Sequence, residues 1–276
     1  MRMRYFVAGA GAPVVLVHGL TGAASNFAEL APLLAERARV LVPELPGHGG
    51  SAPLPAAPSL DPYAERVRLV AEREGVLPAV FVGHSLGAVI ALRLAMRVPE
   101  AVRGLVLAGA AGIASTTRWA EFWITTFGYL KLGRKLAPHR ERFARRRLLR
   151  YVPFGYWGAS DPPALSEQAV EGFLAGPALH TDTISAGRAL VRDDPRIDLE
   201  RVRCPALVLW GARDRQVPVD DAFEYARRLG APLRTIADCG HLLVGERPGA
   251  CADAIGAFLD RIGHVDELPG QAEALG

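Results

Sequence analysis

Six short runs of mostly β-branched and leucine side chains recur along this chain: PVVLVHG (13–19), RVLVPELPG (39–47), AVFVG (79–83), VRGLVLAG (102–109), PALVLWG (205–211) and PLRTIA (232–237). Most of them stop at a glycine or a proline. A strand that is apolar on both faces must be covered on both faces, which is the condition inside a parallel sheet. Helical periodicity fills most of the intervals, at 27–37, 62–74, 86–97, 219–229 and 248–262. Alternating strand and helix predicts an α/β fold with a mostly parallel, helix-flanked central sheet. In such sheets the chemistry collects in the loops at the carboxyl ends of the strands.

The alternation breaks once. Between the runs at 102–109 and 205–211 lie roughly 90 residues without a convincing strand, far longer than an ordinary connection. The expected organisation is therefore a core at 1–112 and 191–263, a helical insertion at 113–190, and a loose polar tail at 264–276. The insertion holds eleven of the twenty aromatic residues. Trp119, Phe122, Trp123, Phe127 and Leu130 fall at helical spacing and form one apolar face. Such a face either packs a small core of the insertion itself or roofs a pocket beneath it. On the second reading Trp119, Phe122, Trp123 and Phe127 line a substrate pocket.

Composition narrows the partners. A net charge of +3 on 276 residues gives no reason to expect nucleic acid. The charge is uneven, however. Residues 131–150 carry nine Lys or Arg against Glu141 alone, a net of +8, which leaves −5 for the rest of the chain. RERFARRRLLRYV reads as a helix with Ala144, Leu148, Tyr151 and Val152 inward and its arginines on a solvated outer face. The other readings of that patch are docking of an acidic carrier protein or contact with an anionic lipid surface. Three cysteines without Cys-x-x-Cys spacing suit neither a disulfide framework nor a zinc site, and point to a reducing compartment. Near the N-terminus Gly9, Gly11 and Pro13 interrupt the apolar stretch, which argues against a signal peptide. No apolar run approaches the roughly 18 residues of a membrane span. The expected location is the cytoplasm.

The sharpest local signal is VFVGHSLGAVIALRLAM at 80–96, where a serine sits between two glycines as a strand gives way to a helix. Gly83 and Gly87 lack side chains, so a tight, strained turn can push Ser85 clear of the backbone. Ser85 also sits at a helix N-terminus, whose free N–H groups favour developing negative charge. A serine hydroxyl needs a base, and the base needs an orienting group. Of the seven histidines, His241 alone lies in a late loop beyond a strand's carboxyl end. His84 adjoins the serine and is expected to point elsewhere, while His139 and His180 belong to the insertion. Asp214, just past another strand, is the candidate acid. Asp220, Asp221 and Asp238 are its rivals, the first two reading as groups that open the next helix.

HGLTG (18–22), PGHGGS (46–51), GHSLG (83–87) and LWGARD…CGH (210–241) together resemble the α/β-hydrolase superfamily, in its serine esterase and lipase-like branch with a helical cap. Ser85, Asp214 and His241 follow that family's chain order, and the insertion coincides with its cap. The resemblance implies an oxyanion hole built from the backbone N–H groups of Leu20 and Leu86. It implies a structural role for the His18 side chain. Many relatives carry aspartate where this chain has Glu44, a position read as structural. Serine at the elbow separates the chain from the haloalkane dehalogenase and epoxide hydrolase branches, which use aspartate there.

A Ser-His-Asp set with an oxyanion hole performs acyl transfer through an acyl-enzyme. An aromatic-rich cap favours an apolar ester, with no cofactor and no metal. The alternatives are carbon–carbon or thioester hydrolysis, including acyl-carrier-bound substrate, and haloperoxidase-like perhydrolysis. The pimeloyl-carrier-protein esterases resemble this architecture. Outside enzymology, a small-molecule receptor on the same fold is the competing reading.

Overall fold

The computed structural model describes residues 3–56, 58–113, 132–155 and 158–267. Seven strands form one sheet: β1 (Tyr5–Ala8), β2 (Ala12–Val17), β3 (Ala38–Pro43), β4 (Ala79–His84), β5 (Val102–Ala108), β6 (Ala206–Gly211) and β7 (Leu233–Ile236), in the order β1-β3-β2-β4-β5-β6-β7. Only β1 runs antiparallel, pairing Tyr5 with Pro43 and Ala8 with Val40. The six sequence runs became β2 to β7. β1 is an additional edge strand, and its mostly exposed pattern carried no apolar signal.

The helices are α1 (Leu30–Ala35), α2 (Asp61–Arg73), α3 (Leu86–Arg97), α4 (Leu132–Leu136), α5 (Arg140–Arg145), α6 (Tyr151–Phe154), α7 (Glu167–Ala175), α8 (Ile184–Arg192), α9 (Val219–Leu229), α10 (Leu243–Glu246) and α11 (Pro248–Glu267). Alternate side chains of each strand feed opposite layers. Val15, Val17, Phe81, Leu105, Leu107 and Val208 join α2, α3, α8 and α9. Val14, Leu16, Val80, Val82, Val106 and Leu209 join α1, α11 and the insertion's Phe143, Phe154 and Phe173. Both faces of the sheet are therefore covered, which is why its strands read as unbroken apolar runs. Helix α3 is buried at Leu86, Val89, Ile90, Leu92 and Leu94. Each such side chain contributes roughly 1.5–3 kcal/mol of transfer free energy.

The segment between β5 and β6 holds short helices. The expected boundary at 190/191 falls inside α8, whose Ala186, Ala189 and Leu190 pack in the same layer as α2 and α3. Arg93 of α3 grips the end of α8, its Nε 2.9 Å from Asp193 Oδ2 and its Nη1 3.3 Å from Asp198 Oδ2. The tail expected from 264 begins within α11, which continues to Glu267. No helix among the described residues is long and apolar enough to cross a membrane.

The arginine-rich segment departs from expectation. It is not one helix: α5 ends at Arg145, Arg146 is extended (φ −113°, ψ 95°), and a 3-10 turn (Arg147–Arg150) follows. The break resets the helical phase. Arg150 turns inward and is 3% exposed, whereas Leu148, Tyr151 and Val152 turn outward. Of the face expected inside, only Ala144 is buried. The Arg150 guanidinium donates to the carbonyls of Phe143, Ala144, Pro163 and Leu165, a set of acceptors with no carboxylate. Burial pulls its pKa down.

Candidate active site

β4 delivers Ser85 at the point where α3 begins. Its backbone stands at φ 54°, ψ −116°, a conformation that an L-residue holds at a cost of about 1–3 kcal/mol when its surroundings impose it. The two glycines explain how. A Cβ on Gly87 would stand 2.1 Å from the Val17 carbonyl oxygen, and one on Gly83 would stand 2.4 Å from the Ala88 backbone. α3 can therefore close on β2 and β4 only with glycine at both positions. The turn is fixed by Ser85 N–H donating to Ala108 O (2.9 Å) and Ala88 N–H donating to Ser85 O (3.1 Å).

Asp214 follows β6, and His241 follows β7, at the same carboxyl edge of the sheet. His241 Nδ1 lies 2.8 Å from Asp214 Oδ2, and both side chains are buried. A carboxylate can only accept, so Nδ1 carries the proton and Nε2 is left as the basic nitrogen. The other oxygen, Asp214 Oδ1, accepts from the Gln216 and Val217 N–H groups at 2.8 and 2.9 Å. That leaves the carboxylate little freedom to turn. No hydrogen bond joins Ser85 Oγ to the His241 ring among the described residues. The rival acids are elsewhere: Asp238 is exposed and pairs with Arg213, and Asp220 and Asp221 open α9.

The loop after β2 lies against the serine. A Cβ on Gly19 would be 3.1 Å from Ser85 Cβ. Leu20, next in the chain, donates its N–H to no described residue. Leu86 opens α3, so its N–H is one of the helix's orphan donors. His18 holds the loop from inside: Leu45 N–H donates to its Nε2 (3.0 Å), and its Nδ1–H donates to Gly19 O (2.9 Å). Burial lowers the His18 pKa to about 4. The structural role expected of His18 is what the structure displays. Glu44 closes the next loop by accepting from Gly50 N–H at 2.7 Å.

Several site residues were missed from sequence. His84, expected only to point elsewhere, has a definite partner: its Nε2–H donates to the His241 carbonyl at 2.8 Å, and the two rings lie 5.0 Å apart. Burial, and then the neighbouring His241, hold the His84 pKa near 3. Glu246, buried at the end of α10, accepts from Gly240 N–H and Ser160 N–H, both at 2.8 Å. Gly158 O accepts from His241 N–H (2.8 Å) and Leu242 N–H (3.2 Å). A stretch of the insertion is thus fastened to the histidine loop. His180 makes a second fastening, accepting from Gly49 N–H and donating to Thr21 O at 3.0 and 2.8 Å. The aromatic stripe Trp119, Phe122, Trp123 and Phe127 lies outside the described residues.

The model of the alpha/beta hydrolase family matches residues 14–254. The chain is 29% identical to a 2-hydroxymuconate semialdehyde hydrolase of Pseudomonas sp. (strain CF600), over 91% of this chain and 88% of that one. It is 32% identical to a pimeloyl-[acyl-carrier protein] methyl ester esterase of Chromobacterium violaceum, over 76% and 79%. A dihydrolipoyllysine-residue acetyltransferase component of the acetoin cleaving system of Pseudomonas putida matches at 28%, over 93% of this chain, which spans only 66% of that protein. Among solved structures, a thermophilic esterase from Thermogutta terrifontis superposes with a TM-score of 0.72 at 22% identity, covering 94% and 93% of the two chains. The glycine-framed serine turn, the sheet order and the family match agree: the chain belongs to the alpha/beta hydrolase family.

Proposed function

We propose that the protein is a serine hydrolase that cleaves carboxylic esters of small to medium apolar substrates through an acyl-enzyme. One observation carries the reading: a strained serine at the β4–α3 turn shares the sheet's carboxyl edge with a buried His241–Asp214 pair. Ser85 Oγ attacks the ester carbonyl as its proton passes to His241 Nε2. The Leu20 and Leu86 N–H groups hold the resulting oxyanion. His241 then returns the proton to the departing alcohol. Water, deprotonated by the same nitrogen, attacks the acyl carbonyl and frees the acid and Ser85. Asp214 keeps the imidazole in the required tautomer and stabilises its protonated form. The insertion, from residue 113 up to α8, acts as a cap, and its aromatics Trp119, Phe122, Trp123 and Phe127 bind the apolar part of the ester. The free cysteines suit a cytoplasmic enzyme.

The test is a p-nitrophenyl ester series of increasing acyl length. Each buried methylene contributes about 0.8 kcal/mol, so kcat/KM should rise about four-fold per carbon until the pocket is full. Replacing Trp119, Phe122, Trp123 and Phe127 with alanine should flatten that rise and spare the shortest ester. A second reading, carbon–carbon hydrolysis, is favoured by the relative named as a 2-hydroxymuconate semialdehyde hydrolase. Cleavage of a 2-hydroxymuconate semialdehyde-type substrate with negligible turnover of every ester would replace the first reading with the second. Tight binding of apolar esters without any turnover would make the protein a receptor.

A further inference from the structure

The Arg-rich segment presents a surface that the reaction at Ser85 does not use. Leu148, Tyr151 and Val152 are 78%, 52% and 64% exposed, three apolar side chains within five residues. Single exposed apolar groups are ordinary, but a local cluster framed by charge marks a contact surface. Arg145, Arg146 and Arg147 immediately precede it, and all three are exposed. The cluster sits on a fixed frame. Phe143, Ala144 and Phe154, which flank it in the chain, are buried, and the Arg150 guanidinium ties the carbonyls of Phe143 (3.3 Å) and Pro163 (2.9 Å) together. The segment is therefore presented outward by its own scaffold.

We propose that the face formed by residues 145–152 seats the protein peripherally on an anionic lipid surface. Two properties select that partner. Arg145, Arg146 and Arg147 stand exposed on this face, within a segment (131–150) whose sequence carries a net +8 while the rest of the chain carries −5, so a negatively charged plane attracts it. Two acids lie close to these arginines, Glu141 at 3.9 Å from Arg145 and Glu167 near the inward-turned Arg150, and neither is paired with Arg146 or Arg147 in a salt bridge among the described residues. A bilayer then offers what each side chain needs. Phosphates meet the guanidinium forks, the tyrosine ring suits the headgroup level, and Leu148 and Val152 enter the acyl boundary. An acidic protein would satisfy the arginines but set its carboxylates against three apolar side chains.

Co-sedimentation with phosphatidylcholine vesicles, with and without phosphatidylglycerol, tests the proposal. The wild-type protein should bind only the vesicles that contain phosphatidylglycerol, and less tightly as salt rises. Each arginine near an anionic surface adds about a five-fold factor, so R145A/R146A/R147A should weaken binding on the order of 100-fold at low salt. L148S/Y151S/V152S should weaken it at low and high salt alike, because insertion of apolar groups is not screened. Both variants change exposed side chains, and an unaltered melting temperature shows that they fold. Failure of the wild-type protein to bind the anionic vesicles overturns the proposal, as does equal binding to phosphatidylcholine alone. Undiminished binding by folded variants overturns it too. Binding to an acidic acyl carrier protein, lost in the arginine variant, with no binding to either vesicle, assigns the face to a protein partner instead.

Discussion

Acidification from about pH 7.5 to about pH 5 should destabilise the protein by about 4 kcal/mol through two histidines alone. His18 and His84 are held neutral, at about 4 and about 3, against an ordinary 6.5. Both folded values lie below the unfolded one, so between them the unfolded chain binds more protons and stability rises with pH. The contribution is full above 6.5 and declines as pH falls toward 4 for His18 and toward 3 for His84. At about pH 5 the unfolded chain has taken up both protons and the folded chain almost none, a loss of about 2 kcal/mol per histidine. His48, also depressed by burial, acts in the same direction. The structural reason is specific. A protonated His18 could no longer accept from Leu45 N–H, and a protonated His84 would place a second donor where its Nδ1 is buried without a partner among the described residues. Urea unfolding at the two pH values measures the difference, and nitrogen chemical shifts of the imidazoles report each site. Stability unchanged between them, or either histidine titrating near 6.5 in the folded protein, would refute the reasoning.

Ser85→Ala should lower turnover on the order of 10⁶-fold, and Asp214→Asn on the order of 10⁴-fold through the wrong imidazole tautomer, measured as kcat on a p-nitrophenyl ester. Gly87→Ala places a methyl 2.1 Å from the Val17 carbonyl and should yield insoluble or strongly destabilised protein. Gly263→Ala, with no described residue within 4 Å of the added methyl inside α11, should instead raise stability by up to about 1 kcal/mol in thermal melts. Arg93→Ala strands Asp193, whose side chain is 6% exposed, and should cost about 3–5 kcal/mol. Adding Asp193→Asn should recover part of that loss, since it removes the uncompensated charge.

The parts legible in the sequence were those where one residue type has one physical explanation. Apolar runs, most of them ending in glycine or proline, marked six parallel strands, and Gly83 and Gly87 marked the serine turn. β1 escaped because an edge strand with Phe6 and Val7 half exposed has no core face to announce it. Asp214 could be separated from Asp238 only by tertiary placement, since both follow strands. The arginine segment misled because helical periodicity assumes an unbroken helix, and one extended residue at Arg146 rotates everything after it. His84 and Glu246 were illegible as positioning groups for another reason. Their partners are backbone atoms far away in the chain, the His241 carbonyl and the Ser160 N–H, and backbone leaves no mark in a sequence.

The central claim is that Ser85 is the nucleophile and His241 its base. Its most direct measurement is labelling by a serine-directed alkyl phosphonate, followed by peptide mass spectrometry. The account predicts one adduct, on Ser85, forming far more slowly in the His241→Ala protein and absent from Ser85→Ala. An adduct on any other residue, or a folded wild-type protein that forms none, would contradict it.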